Sequence, residues 1–193
     1  MKQNQNVSNI LIISGHPNLE DSYANKLILD RLEASDLNTH IRYLDRIYAN
    51  GACDVAQEQA HMRAADIIVF QFPLYWYAVP AIMKQWMEDV YTFGFAFGPD
   101  GSQLRGKKFI ASVTVGGSAE KYKSAEIKEN CKSIASFLKP VTELAKFSAM
   151  VPQEIIYTFQ MAYIKGVHEH ENAVLDRAES HAEKLITAIK SAL

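Results

Sequence analysis

The run from Asp66 to Phe72 constrains this chain more than any other segment, because it joins β-branched and aromatic residues without polar alternation. Such a run is a strand buried on both faces, and strands of that kind belong to parallel sheets covered by helices. It leads into Pro73, Leu74, Tyr75, Trp76, Tyr77, Ala78, Val79 and Pro80 instead of a polar turn. Open α/β sheets bind ligands at the carboxyl ends of their strands, so Pro73 to Tyr77 are expected at that rim. Three adjacent aromatics there suit a flat, apolar ligand. Pro80 is a good first helical residue, and a helix is expected to follow.

The rest of the chain repeats this alternation of strand and helix. Strands are expected near 9–14, 40–44, 66–72, 108–115 and 154–159. Helices are expected near 22–33, 54–63, 80–91, 124–139 and 169–192, the fourth ending before Pro140. No Gly/Ser/Pro-rich linker, low-complexity tract or repeat interrupts the series, so residues 1–193 read as one doubly wound domain. Five parallel strands with helices on both faces fit the flavodoxin-like order 2-1-3-4-5, whose crevice lies beside strands 1 and 3. Right-handed crossovers allow that order without making it unique. The last helix carries Leu175, Ala178, Ala182, Leu185 and Ile189 at three- and four-residue steps, as amphipathic cover for the sheet does.

With 193 residues, a single domain can bury roughly 70% of its unfolded surface without disulfide or metal staples. Cys53 and Cys131 lie far apart with no further cysteine at ligand spacing, so neither a zinc site nor a CxxC redox pair is expected. A reducing, cytoplasmic setting fits. The formal charge of -2 supplies no basic footprint for nucleic acid, nor the acidity of a dedicated electron shuttle. The longest apolar region, Ile67 to Met83, is broken by Pro73 and Pro80 and does not read as a membrane span. Small-molecule chemistry is the default.

Three loops are candidates for that chemistry. After the first strand come Gly15, His16, Pro17, Ser22, Tyr23 and Asn25, where free N–H groups and a positive helix end would attract phosphate. Ser22 also reads simply as an N-cap. After the fourth strand come Thr114, Val115, Gly116, Gly117 and Tyr122. The two glycines let backbone approach a ligand, and Tyr122 adds a phenol donor, although such a pair is often only a tight turn. The Pro73–Tyr77 segment completes the set. The chain has no GxGxxG, no GxxxxGK[ST] and no GxSxG elbow, which removes the dinucleotide fingerprint, the P-loop and the hydrolase triad. Glu88 and Asp89 are adjacent on a helix and cannot serve one site together. His61, Arg63, His168, His170 and His181 are expected at the surface, away from these loops. The aromatic, glycine-rich stretch from Thr92 to Ser102 is too apolar for a plain connector and is expected to cover a pocket or a partner.

These residues together resemble a known family. His16-Pro17 with Ser22 and Asn25, the stretch Gln71 to Ala81, Phe95 to Phe97, Gly106 to Lys108, and Thr114 to Gly117 with Tyr122 look like the flavodoxin-like NAD(P)H:quinone oxidoreductases. The short bacterial members, including ancillary flavoproteins of potassium efflux systems, look most similar. The resemblance covers about 9–122 and fades beyond. It implies a bound FMN, or FAD, that takes a hydride from NAD(P)H and passes it to a quinone or similar acceptor in a ping-pong cycle. It also implies a homodimer with the active site at the subunit interface.

Carried over by position, His16, Ser22, Tyr23 and Asn25 would hold the flavin phosphate region. Pro73, Leu74, Tyr75, Trp76 and Tyr77 would contact the ring, with Trp76 packed on it. Thr114, Val115, Gly116, Gly117 and Tyr122 would hold its pyrimidine edge, Gly117 and Tyr122 acting in catalysis. Phe97 would wall the acceptor side from the partner subunit, where Trp76 also meets substrate. Larger animal members place a histidine six positions after the tyrosine, where this chain has Lys128. The absence of their carboxy-terminal extension leans toward FMN. A second implied reading is a redox-sensing regulatory subunit docked on a membrane transporter. A flavodoxin-type electron carrier fits less well, because the chain lacks the Thr-rich phosphate loop.

Overall fold

In the computed structural model, residues 8–99, 102–123, 134–163 and 171–193 are described. The expectations for Lys128, Cys131, His168, His170 and the first part of the fourth helix lie outside them.

Strands β1 (Ile10–Ser14), β2 (Thr39–Tyr43), β3 (Ile67–Pro73) and β4 (Lys108–Thr114) form the parallel sheet. The fifth place is shared by β5 (Val151–Pro152) and β6 (Ile156–Thr158), which both pair with β4. The order β2-β1-β3-β4-β5 is the flavodoxin-like one. The strand expected over 154–159 is therefore shorter, Ile156–Thr158, and a separate piece, Val151–Pro152, precedes it. Gln153 still reaches β4, its N–H donating to Phe109 O at 2.8 Å, before the chain leaves the ladder and rejoins it at Ile156.

Helices cover both faces, and the sheet's period of two assigns each residue to one of them. Leu11, Ile13, Ile68, Phe70, Phe109 and Val113 face α3 (Val55–Ala64), α4 (Ala81–Val90) and α5 (Ile134–Phe147). Ile10, Ile12, Ile67, Val69 and Ile110 face α1 (Tyr23–Glu33) and α6 (Glu171–Ala192). A single turn, α2 (Leu44–Ile47), follows β2 and was not expected from the sequence. The side chains of Ser22 and Asp54 cap α1 and α3, accepting from Asn25 N and Gln57 N. Pro80 precedes α4 as its N-cap.

The fourth helix does not stop at Lys139. It runs through Pro140 to Phe147, so one i to i−4 hydrogen bond is forfeited. Beyond the proline, Val141 and Ala145 are buried on the same core face as Leu138. Burying that stripe offsets a cost of about 3 kcal/mol.

The main correction concerns His181, which was expected at the surface. It is fully buried on the inward face of α6, with its ring between Ser112 Oγ (2.8 Å from Nε2) and Thr158 Oγ1 (2.9 Å from Nδ1). Periodicity places position 181 beside Ala178, Ala182 and Leu185 on the inward face, and two hydroxyls from the sheet make a neutral imidazole tolerable there. Burial, assisted by Lys184, pushes its pKa from 6.5 down to about 4. The unfolded chain therefore takes up this proton first as the pH falls. The stability that the neutral ring supports is complete above pH 6.5 and is lost down to about pH 4, on the order of 3 kcal/mol. Denaturant melts across this window should show that loss, and His181→Gln should flatten the pH dependence while lowering stability at neutral pH.

Candidate active site

The loops leaving β1, β3 and β4 meet at one rim, and backbone hydrogen bonds hold them side by side. Gly15 N–H donates to Gln71 O at 2.8 Å, Leu74 N–H to Thr114 O at 2.8 Å, and Val115 N–H to Thr158 O at 2.9 Å. A fourth segment joins through Gln160 N–H to Gly117 O and Met161 N–H to Val115 O, both 3.0 Å. Gly15 is required by packing, since a Cβ there would lie 2.8 to 3.0 Å from three side-chain atoms of Met83 on α4. Between the loops lies a cavity of about 450 Å³, walled by His16, Ser22, Asn25, Pro73, Tyr75, Thr114 and Gly116.

One end of this cavity is polar. It abuts the start of α1, whose first N–H groups lack helical partners and carry the positive end of the helix dipole. Ser22 Oγ accepts from Asn25 N at 3.1 Å and Asn25 Nδ2 at 3.0 Å. Asn25 Oδ1 accepts from Gln71 Nε2 at 3.0 Å and Thr114 Oγ1 at 3.2 Å. His16 Nδ1 accepts from Asn18 N–H at 3.2 Å, which leaves the ring proton on Nε2, 3.4 Å from Tyr75 OH. Burial lowers the His16 pKa, opposed by the carboxylates of Asp45 and Asp21, so the ring is a neutral donor near neutral pH.

The aromatic segment forms a hairpin that its side chains do not favour. Tyr75 and Ala78 exchange two backbone hydrogen bonds of 3.0 and 2.9 Å, leaving Trp76 and Tyr77 at the turn with φ of 48° and 66°. Both values are left-handed, the signature of a type I′ turn that normally takes Asn-Gly. Bulky residues there cost on the order of 1–3 kcal/mol each. Trp76 is 94% exposed and so gains no compensating packing within the chain. Among the described residues, no hydrogen bond uses the N–H of Trp76, Tyr77, Gly116 or Gly117. Backbone strain of this kind clusters at binding and active sites.

The residues expected from sequence separate into two groups. His16, Ser22, Tyr23, Asn25, Pro73, Leu74, Tyr75, Thr114 and Gly116 line the cavity. Trp76, Tyr77, Gly117 and Tyr122 sit beside it: Tyr122 is 6.1 Å centroid to centroid from Tyr77 and packs on Phe137 and Phe159. A Cβ on Gly117 would approach the Tyr122 ring to 3.1 Å, so that glycine sets how closely the phenol sits. Burial raises the Tyr122 pKa, which keeps the phenol protonated as a donor. Val115 turns its side chain into the core and can offer only backbone. Phe97 lies away from the cavity of its own chain, stacked at 5.7 Å on Phe147 at the end of α5.

Met161, Ala162 and Tyr163 also line the cavity, and sequence reasoning missed them. Tyr163 stacks edge-on against Tyr23 at 4.8 Å and closes one side. Their position after the fifth strand, at the same carboxyl rim, was the available signal.

The fold is that of a recognised group. The chain belongs to the Flavodoxin_2 family. The family model, described as a flavodoxin-like fold, matches residues 8–185. General stress protein 14 of Bacillus subtilis is 39% identical over 160 residues, covering 82% of this chain and 90% of the relative. The uncharacterized NAD(P)H oxidoreductase YdeQ of the same organism is 38% identical, covering 72% and 70%. The glutathione-regulated potassium-efflux system ancillary protein KefF of Enterobacter is 42% identical over 108 residues, covering 56% of this chain and 61% of that protein. The crystal structure of general stress protein 14 from Treponema denticola, in complex with FMN, superposes with a TM-score of 0.78 at 28% identity, covering 94% and 99%.

Because the Trp76 ring makes no packing contact to lose, Trp76→Asn should relieve the left-handed strain. Without added flavin, the variant should be more stable than the parent by about 0.5–1 kcal/mol in thermal melts.

Proposed function

We propose that this chain is a flavin-dependent NAD(P)H oxidoreductase that carries FMN and reduces quinone-like acceptors by two electrons. The observation that carries this reading is the cavity itself, which joins an anion-binding helix start to a flat aromatic rim with unpaired backbone donors. When bound, the flavin supplies the hydride chemistry, taking a hydride from NAD(P)H and delivering it to the acceptor in ping-pong order. The FMN-bound relative of the same fold supports FMN over FAD.

The protein's own part is to hold and to polarise. Ser22, Asn25, His16 and the start of α1 would bind the phosphate, the group for which a helix N-terminus is suited. Pro73, Leu74 and Tyr75 would flank the ring plane. The N–H groups of Trp76, Tyr77, Gly116 and Gly117 would meet the ring's polar edges, where negative charge must be stabilised on reduction. The Tyr122 phenol would donate to the same edge. The exposed Trp76 ring offers a flat wall for nicotinamide and acceptor in turn. A homodimer would bring Phe97 of the second subunit to that wall, in keeping with its placement outside the cavity of its own chain.

The similarity to KefF supports a second reading, a regulatory subunit that senses redox state for a membrane transporter. No helix among the described residues is long and apolar enough to cross a membrane, so such a role would be peripheral. Rapid steady-state quinone turnover by the isolated protein favours the enzyme, whereas nucleotide-dependent control of a captured transporter favours regulation.

Purified protein should be yellow, and heat-released chromophore should have the mass of FMN. Double-reciprocal plots at several acceptor concentrations should be parallel, and intersecting lines would rule out the ping-pong order. Tyr122→Phe should lower kcat roughly tenfold while flavin content stays unchanged; an unchanged kcat removes Tyr122 from the reaction.

A further inference from the structure

We infer that His181 is a positioning residue for the anion end of the cavity, setting the direction of a buried hydrogen-bond chain that leaves the Ser22 hydroxyl free to donate to a ligand phosphate. The inference rests on the FMN reading above and assigns to it a residue that touches neither ligand nor cavity.

The chain follows from donor and acceptor inventory. Ser112 Oγ donates to Gln71 Oε1, so its single hydrogen is spent. Its contact with His181 Nε2 at 2.8 Å then requires that nitrogen to carry the proton. In a neutral ring Nδ1 is therefore an acceptor, and Thr158 Oγ1 donates to it at 2.9 Å. Onward from Ser112, Gln71 Nε2 donates to Asn25 Oδ1 and Asn25 Nδ2 donates to Ser22 Oγ, both at 3.0 Å. Every donor from Thr158 to Asn25 thus points the same way. Ser22 Oγ receives two hydrogens, and among the described residues nothing accepts its own.

The opposite polarity is equally possible for the amides and hydroxyls alone. If His181 presented a lone pair at Nε2, Ser112 would donate to it, and the Gln71 and Asn25 amides would turn over. The Ser22 hydrogen would then be drawn inward to Asn25. An anion would meet a lone pair in place of a donor. With Ser112 donating to Gln71, the chain takes the first arrangement, in which His181 carries its proton on Nε2 and meets the Thr158 hydroxyl at Nδ1. The sheet register supports the path, because Gln71 pairs with Ser112, and Thr158 lies two residues beyond Ile156, the partner of Ser112, on the same strand. A row of polar residues buried beneath α1 and α6 would otherwise be an expense without return.

The test compares FMN with riboflavin, which differ only in the phosphate, by equilibrium titration of flavin fluorescence on apoprotein. His181→Leu, Ser112→Ala and Thr158→Val should each weaken FMN binding roughly tenfold, while riboflavin affinity changes less than about twofold. His181→Gln keeps an N–H for Ser112 and should restore most of the preference for FMN. The Ser112→Ala and His181→Leu double variant should be no worse than either single one, as expected for one continuous path. Equal losses for both flavins, or an unchanged ratio, would overturn the inference while leaving the FMN reading intact. Failure of the parent protein to bind either flavin would overturn both. Should His181→Leu not fold, Thr158→Val decides the question, since it keeps the imidazole and removes only the hydroxyl that meets its Nδ1.

Discussion

The pairing of β3 with both β1 and β4 governs the rest of the molecule. All seven residues of β3 are buried, so its register is set from two sides and a slip by one residue would exchange its two core faces. That register aligns Ser14, Gln71 and Ser112 across the sheet and brings Pro73 level with Thr114. The loops emerging one residue later are neighbours for that reason. The cavity is a consequence of strand pairing, not of the loops' own preferences.

The two faces of the sheet are not equivalent. Toward α3, α4 and α5 the packing is mainly apolar, with Phe70 edge-on to Trp86 at 5.7 Å and to Phe109 at 4.9 Å, and the buried carboxylate of Glu58 is met by Trp86 and Arg42. Toward α1 and α6 the apolar rows give way, one layer below the cavity, to Gln71 and Ser112 with Asn25 and His181 above them. A buried polar layer is tolerable only when each member is satisfied. Ser14 Oγ is the exception, buried without a hydrogen-bond partner at the end of the same row. The cavity therefore rests on a polar floor, while its aromatic side is exposed and strained.

Much of this was legible in the sequence because it depends on local pattern. The apolar run through β3 with its proline and the capping residue of α1 follow from composition and period, and the strand order is one that right-handed crossovers allow. The place of Ser22 and Asn25 in the cavity wall was legible for the same reason, since they sit where an N-cap and its neighbour must lie. His181 was misjudged because a histidine among Glu and Lys reads as surface, and only the hydroxyls of Ser112 and Thr158, distant in sequence, make its burial acceptable. The helix through Pro140 was missed on the same grounds: a local rule predicted a stop, and tertiary packing overrode it. Met161 to Tyr163 carry no motif and reach the cavity only through pairing with the β4 loop. The broken fifth strand has no sequence signal that was read.

The chain has two tryptophans, and the fold sends them to opposite environments. Trp86 is fully buried, its indole N–H 3.1 Å from a Glu58 carboxylate oxygen, whereas Trp76 stands almost wholly in water on its left-handed turn. Their emission should accordingly divide into a blue component shielded from dissolved quenchers and a red one open to them. The red component belongs to the rim alone. Anything planar that settles there would dim it first, so the protein carries an optical reporter of its own occupancy without any added label.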